Sequence, residues 1–259
     1  MPEAVLLDIK DRIGFITLNR PEKRNALGPD LVGKLIAAFK EMNESKEVKV
    51  IVLRAKGKAF CAGADLAYLQ DLQGFSYEEN LEDSQRLMHL FSMIYSLPKV
   101  VIAQIQGHAI AGGCGLATVC DFAFSAPEAL FGYTEVKIGF LPALVSVFLL
   151  EQIGGAKTQE LLLSGELVSA SKAASLGLIT EVVEEEFLEK TVYEFALKLI
   201  HSNSTNSMSE TKKLLREFSA DEREKNLKKA AELNAKARSH KDCIHGISSF
   251  LSKTSPDWN

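Results

Sequence analysis

The sequence has no apolar run long enough to cross a bilayer; its candidate stretch, residues 138–150, is short and broken by Gly139 and Pro142. It also lacks a basic excess. Thirty Lys and Arg stand against 34 Asp and Glu, a formal charge of -4, and no segment gathers the cations into a nucleic-acid groove, so small-molecule partners are favoured. Cys61, Cys114, Cys120 and Cys243 form no CxxC pair and no His/Cys spacing of a metal site, and they read as the reduced thiols of a cytoplasmic protein. The opening MPEAVLLDIKDR carries acids and has neither the basic flank nor the long apolar segment of a secretion signal. GxGxxG and GK[ST] are missing, which argues against the common nucleotide loops, and no GxSxG elbow offers a serine nucleophile. Internal repeats and low-complexity linkers are missing too, so the helical tail is expected to sit on the rest of the chain.

What is present is enough apolar sequence, 46% of 259 residues, for one large core or a core plus a small second domain. Residues 4–9 and 12–19 are β-rich runs about a turn at Lys10-Asp11 and predict a hairpin. Leu31, Leu35, Ala38, Phe39 and Met42 recur at helical spacing between Pro29 and Asn43. VKVIVLRA, 48–55, is the continuous β-branched run of a strand buried on both faces. Strand, helix and strand in that order predict a crossover and a parallel pair. The small-residue stretch AFCAGADL, 59–66, reads as a loop leaving that strand. A helical pattern follows to Pro98, and KVVIAQIQG, 99–107, is the next buried strand. Further on, short helical pieces at 156–163 and 169–175 precede a strand at 178–183, and the remainder reads as helices. The charged SADEREKNLKKAAELNAKARSH, 219–240, is polar around much of its surface, as a solvated helix or a subunit contact would be.

The chemistry concentrates in residues 104–146. Gly112-Gly113 stand at the mouth of a predicted helix, whose first N–H groups have no partner within it. Ala64 stands in the other glycine- and alanine-rich loop. Two backbone N–H groups converging from loops at the carboxyl ends of parallel strands can hold a carbonyl oxygen that becomes negatively charged, and small side chains let a substrate approach them. Such loops also serve simply to pack helix on sheet. Glu135 is an isolated acid in a mostly apolar run, a candidate acid or base; flanked by Phe131, Tyr133 and Ile138 it is expected to hold a proton more tightly than usual. The alternative is a glutamate capping a helix after Thr134. Lys137, two residues further along a helix, should face away from it.

NRPEKRNAL (19–27), AFCAGADL (59–66), GHAIAGGCGLATVCD (107–121), ALFGYTEVKIGFLP (129–142) and LSGELVSASKAASLGLITEVV (163–183) together resemble the crotonase superfamily, the enoyl-CoA hydratase/isomerase family, in family order and over essentially the whole chain. The resemblance implies an α/β fold: a crotonase spiral of ββα units over 1–195 and a helical C-terminal region over 196–259 used for assembly into a homotrimer or a hexamer built as a dimer of trimers. It implies an acyl-CoA thioester as ligand, coenzyme A being part of the substrate and no separate cofactor, metal, nucleic acid or membrane being needed. Ala64 and Gly112 match the two oxyanion-hole positions. Lys23, Arg24 and Ala26 match the segment beside the CoA nucleotide, where cations suit phosphate, although they also read as a solvated surface cluster. Ala62, Asp65 and Leu66 of the second motif are expected to contact the substrate.

The chain departs from the family's two-carboxylate pattern at one position. Two-carboxylate hydratases carry a glutamate where this sequence has Gly115, and only the second, Glu135, remains. Asp121, in the family's Cys-Asp pair, reads as structural. The form TEVKIGFLPALVS resembles the bacterial methylglutaconyl-CoA hydratases of leucine breakdown, whose substrate carries an extra carboxylate, but no cation for that group can be picked from the sequence. Residues 68–77 match the variable loop that shapes the family's acyl pocket. With one carboxylate, hydration and double-bond isomerisation are both open, as is binding without catalysis.

Overall fold

A computed structural model describes residues 3–258. The chain opens with the expected antiparallel hairpin, β1 (Val5–Lys10) and β2 (Ile13–Leu18), but the turn is made by Asp11 and Arg12, both at positive φ, and not by Lys10-Asp11. Helix α1 (Pro29–Glu44) buries the expected stripe of Leu31, Leu35, Ala38, Phe39 and Met42, with Val32 beside it. It begins at a proline, whose missing N–H is one that a first helical turn does not need. Strand β3 (Val50–Ala55) then returns parallel to β2.

Residues 59–66 differ from the expected loop. They begin with a short strand, β4 (Ala59–Cys61), and only then lead into α2 (Leu66–Leu72). Helix α3 (Tyr77–Ser96) starts at a capping box in which Ser76 and Glu79 each satisfy the other's backbone N–H. The pattern recurs with β5 (Val100–Ile105), β6 (His108–Ile110) and α4 (Gly112–Thr118), and again with β7 (Phe122–Ser125), β8 (Leu130–Gly132) and α5 (Ala143–Ile153). Each turn of this spiral adds one strand to each of two sheets and then a helix. Helix α6 (Gly155–Ser164), β9 (Val168–Ser169), α7 (Ala170–Leu176) and β10 (Glu181–Val182) complete it. The strand expected over 178–183 is thus reduced to two residues, with Leu178 and Ile179 buried in the approach to it. The larger sheet runs β1-β2-β3-β5-β7-β10 and the smaller β4-β6-β8-β9.

The continuous apolar runs have a simple cause. Alternate residues of β2, β3 and β5 point to opposite faces of the sheet: Ile16, Ile51, Leu53, Val101 and Ala103 enter the main core, while Phe15, Val50, Val52 and Ile102 meet a second one. Helix α8 (Glu185–Ser202) covers that second face with Leu188, Val192 and Ala196, and runs across the expected 195/196 boundary. Helices α9 (Thr205–Glu217), α10 (Ala220–Arg238) and α11 (Lys241–Leu251) follow. Asp121 anchors α9: it accepts the Val101 N–H at 2.8 Å and pairs with Lys212 at 2.7 Å and Arg216 at 3.2 Å. The 219–240 stretch is not a solvated helix. Its α10 lies on α3 and α5 and buries Leu227, Ala230, Ala231, Asn234, Ala235 and Arg238. Among the described residues, no helix is long and apolar enough to cross a membrane.

Candidate active site

Strands β4 and β6 run parallel and side by side, so the loops after them, Ala62–Asp65 and Ala111–Gly112, leave in the same direction. The loops touch: a Cβ on Gly63 would lie 3.1 Å from the Ala111 Cβ, and one on Gly113 would lie 2.2 Å from the Cys61 carbonyl oxygen. The approach requires glycine at Gly113, and at Gly63 a φ of 86° favours it as well.

The orientation of Ala64 is set by a single parallel bridge. Leu27 N–H donates to the Gly63 carbonyl at 2.6 Å and Asp65 N–H donates to the Leu27 carbonyl at 2.7 Å. In such a bridge the residue between, Ala64, turns its own N–H away from the partner strand. Gly112 is the first residue of α4, where helix geometry provides no acceptor. Among the described residues neither N–H has a hydrogen-bond partner, and both residues line one cavity of about 360 Å³. Ala111, just before Gly112, has φ 51° and ψ -124°, an unfavourable conformation for a residue with a Cβ; its N–H is held by the Gly132 carbonyl at 2.7 Å.

Glu135 lines the same cavity and opens a 3-10 turn, Glu135–Ile138. Its Oε2 is buried and has no partner. Burial raises its affinity for a proton, and its pKa stands at about 7, with a backbone N–H contact opposing the shift. Lys137 faces away and pairs with Glu166 at 2.6 Å. The one glycine of α11 packs against the turn: a Cβ on Gly246 would lie 2.3 Å from the Ile138 carbonyl oxygen. We expect Gly246→Ala to lower stability by about 2 kcal/mol and to reduce kcat/KM about tenfold or more by displacing the turn, as read by thermal melting and steady-state kinetics.

A raised carboxyl pKa has a measurable effect on stability. The folded protein binds the Glu135 proton more tightly than the unfolded chain does. Its contribution is therefore full below the ordinary glutamate value of 4.5 and is lost as pH rises through about 7. Glutamine in its place avoids the cost of ionising a buried acid. Glu135→Gln should accordingly be more stable than the parent at pH 8, by up to roughly 3 kcal/mol, and no more stable at pH 4, when melts are compared at both pH values.

The other expected substrate-binding positions do not all line the cavity. Arg24 and Ala62 line the cavity, and the Ala62 N–H donates to the Arg24 carbonyl at 3.0 Å. Ala26 is buried, with its N–H on the Lys23 carbonyl at 3.1 Å. Lys23 pairs with Asp65 at 3.2 Å. Asp65 caps α2 through the Ala67 N–H and also pairs with Arg20 at 3.1 Å. Burial works against its charge, but the Lys23 hydrogen bond, the Ala67 N–H and the two cations hold its pKa below the usual range. Asp65 therefore acts as a clamp between loops. Leu66 begins α2, and its side chain lies outside the described part of the structure.

The space beside Gly115 is full. A Cβ there would lie 2.6 Å from Val145 Cγ1 and 2.9 Å from Phe91 Cζ, both buried in the core. Sequence reasoning missed one part of the cavity wall, where α10 contributes Asn234 and Arg238 and α3 contributes Asp83. The signal was there: Leu227, Ala230, Ala231, Asn234, Ala235 and Arg238 follow helical spacing within the charged stretch. Among the described residues, no cluster of His, Cys, Asp and Glu could hold a metal ion.

Two unpartnered backbone N–H groups and a buried, unpartnered carboxylate on one cavity are groups that can polarise a carbonyl and move a proton. The chain belongs to the enoyl-CoA hydratase/isomerase family, whose model matches residues 8–259. It is 39% identical over 248 residues to a Thermus thermophilus protein provisionally named enoyl-CoA hydratase, covering 95% of this chain and 97% of that one. It is 31% identical over 200 residues to a crotonyl-CoA hydratase of Syntrophomonas wolfei, covering 76% of each. Among solved structures, an enoyl-CoA hydratase of Mycobacterium avium superposes with a TM-score of 0.88 at 30% identity over the whole of both chains. One from Bacillus halodurans gives 0.89 at 29% identity, covering 95% of this chain and all of that one.

Proposed function

We propose that the protein adds water across the double bond of a short or branched 2-enoyl-CoA, methylglutaconyl-CoA being among the candidates. The observation that carries this reading is Glu135 Oε2, buried without a partner in the cavity that Ala64 and Gly112 also line. The thioester oxygen accepts the Ala64 and Gly112 N–H groups. Glu135 removes a proton from water as its oxygen bonds to C3; the C2=C3 electrons move towards the thioester, and the negative charge gathers on the held oxygen. Glu135 then returns its proton to C2, so water has been added and the carboxylate is regenerated. A pKa near 7 suits a group that must both take and give that proton. Each backbone donor is worth roughly 3 to 4 kcal/mol in the transition state.

Isomerisation is the second reading, favoured by the filled space at Gly115: one carboxylate can carry a proton between two carbons with no water added. A panel of enoyl-CoA esters with products identified by mass decides between them. A gain of one water supports hydration; a shifted double bond at unchanged mass overturns it in favour of isomerisation. Binding without turnover across the panel removes both. Exposed Leu214, Leu215 and Phe218 at the end of α9 support assembly as a homotrimer or hexamer. A monomeric mass by light scattering would exclude that assembly.

A further inference from the structure

One part of the cavity wall is polar, although most of the lining is apolar. Arg238, Asp83 and Asn234 line it together with Tyr68 from α2. The Arg238 guanidinium is largely committed: Nη1 donates to Asp83 at 2.7 Å and to the buried Asn80 at 3.2 Å, and Nε donates to Asn234 at 3.1 Å. Asn234 in turn donates to the Leu141 carbonyl at 2.9 Å and accepts from Ser84 at 3.3 Å. Every member of this network is anchored, and Arg238 is only 5% exposed.

Two donors are left over. Among the described residues, Arg238 Nη2 has no hydrogen-bond partner. Tyr68 Oη is buried and meets no neighbour in full hydrogen-bond geometry, although it lies close enough to Asp83 and Arg238 for both to act on it through charge and weak hydrogen bonding. Burial, with the Asp83 carboxylate adding to it, raises the Tyr68 pKa, so the hydroxyl keeps its proton and can donate. A pocket meant only for hydrocarbon gains nothing from unpaired buried donors, which carry a desolvation cost until an acceptor arrives. The cluster also adjoins the reacting group. Arg238 stacks over Phe140 with its guanidinium carbon 5.3 Å from the ring centroid, and the Phe140 N–H donates to the Glu135 carbonyl at 2.9 Å.

We propose that the acyl group carries an oxygen acceptor at the end remote from the thioester, and that Tyr68 Oη and Arg238 Nη2 select for it. This rests on the acyl-CoA reading above and names the substrate class within it: a 2-enoyl thioester with a distal oxygen. The Asp83–Arg238 pair leaves the cluster formally neutral, so a distal carbonyl or hydroxyl meets two donors with no repulsion. A distal carboxylate meets the same donors but also faces Asp83. Both share the acceptor chemistry, and the experiment distinguishes them.

The test measures dissociation constants by calorimetry for saturated acyl-CoA esters of matched length ending in methyl, hydroxyl, methyl ketone or carboxylate. Saturated esters make the result independent of hydration. An oxygen-ended ester binding at least tenfold more tightly than the methyl-ended one is the expected result. A carboxylate binding more tightly than the ketone would show that charge is read, and the reverse order that a neutral acceptor is read. Equal or tighter binding of the methyl-ended ester overturns the inference while leaving hydration standing. Conversely, an intact preference without turnover of the matching enoyl esters overturns the hydratase reading alone. Failure of every ester to bind overturns both. In Tyr68→Phe, which removes an unpaired hydroxyl and should melt no lower than the parent, the preference should shrink to threefold or less; an unchanged preference overturns the role of Tyr68.

Discussion

Replacing Glu135 by glutamine should lower kcat for enoyl-CoA hydration by about a thousandfold to ten-thousandfold while the dissociation constant of a saturated acyl-CoA changes little. A positioned acid or base commonly contributes about a hundredfold to ten-thousandfold, and here one group must serve in both roles, so the loss should fall at the upper end. Glutamine keeps the size and much of the polarity of glutamate but can neither take a proton from water nor return one to carbon. Ester binding survives because the N–H groups of Ala64 and Gly112 are placed by the Leu27 bridge and by the start of α4, neither of which involves the Glu135 side chain. The parent should also show kcat/KM falling tenfold per pH unit below about 7, where Glu135 is protonated in the free enzyme and cannot act as base. Loss of that limb in the variant, together with the fall in kcat, assigns it to this residue. Retained turnover in Glu135→Gln would remove it from the chemistry.

Placing a second carboxylate in the site, by Gly115→Glu, should damage the protein instead of improving it. A new Cβ would lie 2.6 Å from Val145 Cγ1 and 2.9 Å from Phe91 Cζ, and Phe91 is itself packed edge-on against Phe148. Neither neighbour is the free end of a flexible chain; both are buried on α5 and α3. Overpacking of this kind costs about 1 to 3 kcal/mol, and burying an acid without a partner adds to it. We expect Gly115→Glu to lower the melting temperature by several degrees, or to prevent folding, and to abolish most turnover. Gly115→Ala tests the steric part alone and should lose about 1 to 2 kcal/mol with the fold retained. An active, stable Gly115→Glu protein would show that the site had room for two carboxylates.

Much of the fold was legible because its signals are local. The β-branched runs of β2, β3 and β5 and the apolar stripe of α1 each lie within a window of a few residues, and each was found where the sequence placed it. The strands of the smaller sheet were not found in the same way. Ala59–Cys61 has little strand character of its own and becomes a strand because β6 lies beside it. For the same reason the 178–183 run contributes only two paired residues: its partner, β7, pairs with it only at Phe124 and Ser125.

The sequence by itself determined the family, the two loops with small residues, the lone acid and the lack of a side chain at Gly115, since residue identity and order are enough for each. Only the tertiary structure decided what those features amount to. It set Ala64 and Gly112 on one cavity with Glu135, buried Glu135 deeply enough to raise its pKa, and closed the space at Gly115 with side chains from α3 and α5. It also brought Arg238 to Asp83 across 155 residues of chain, a pairing that the helical spacing of α10 does not specify. The reason is physical: propensity and periodicity act between near neighbours, whereas burial, charge pairing and steric fit depend on whichever distant residues the folded chain brings together.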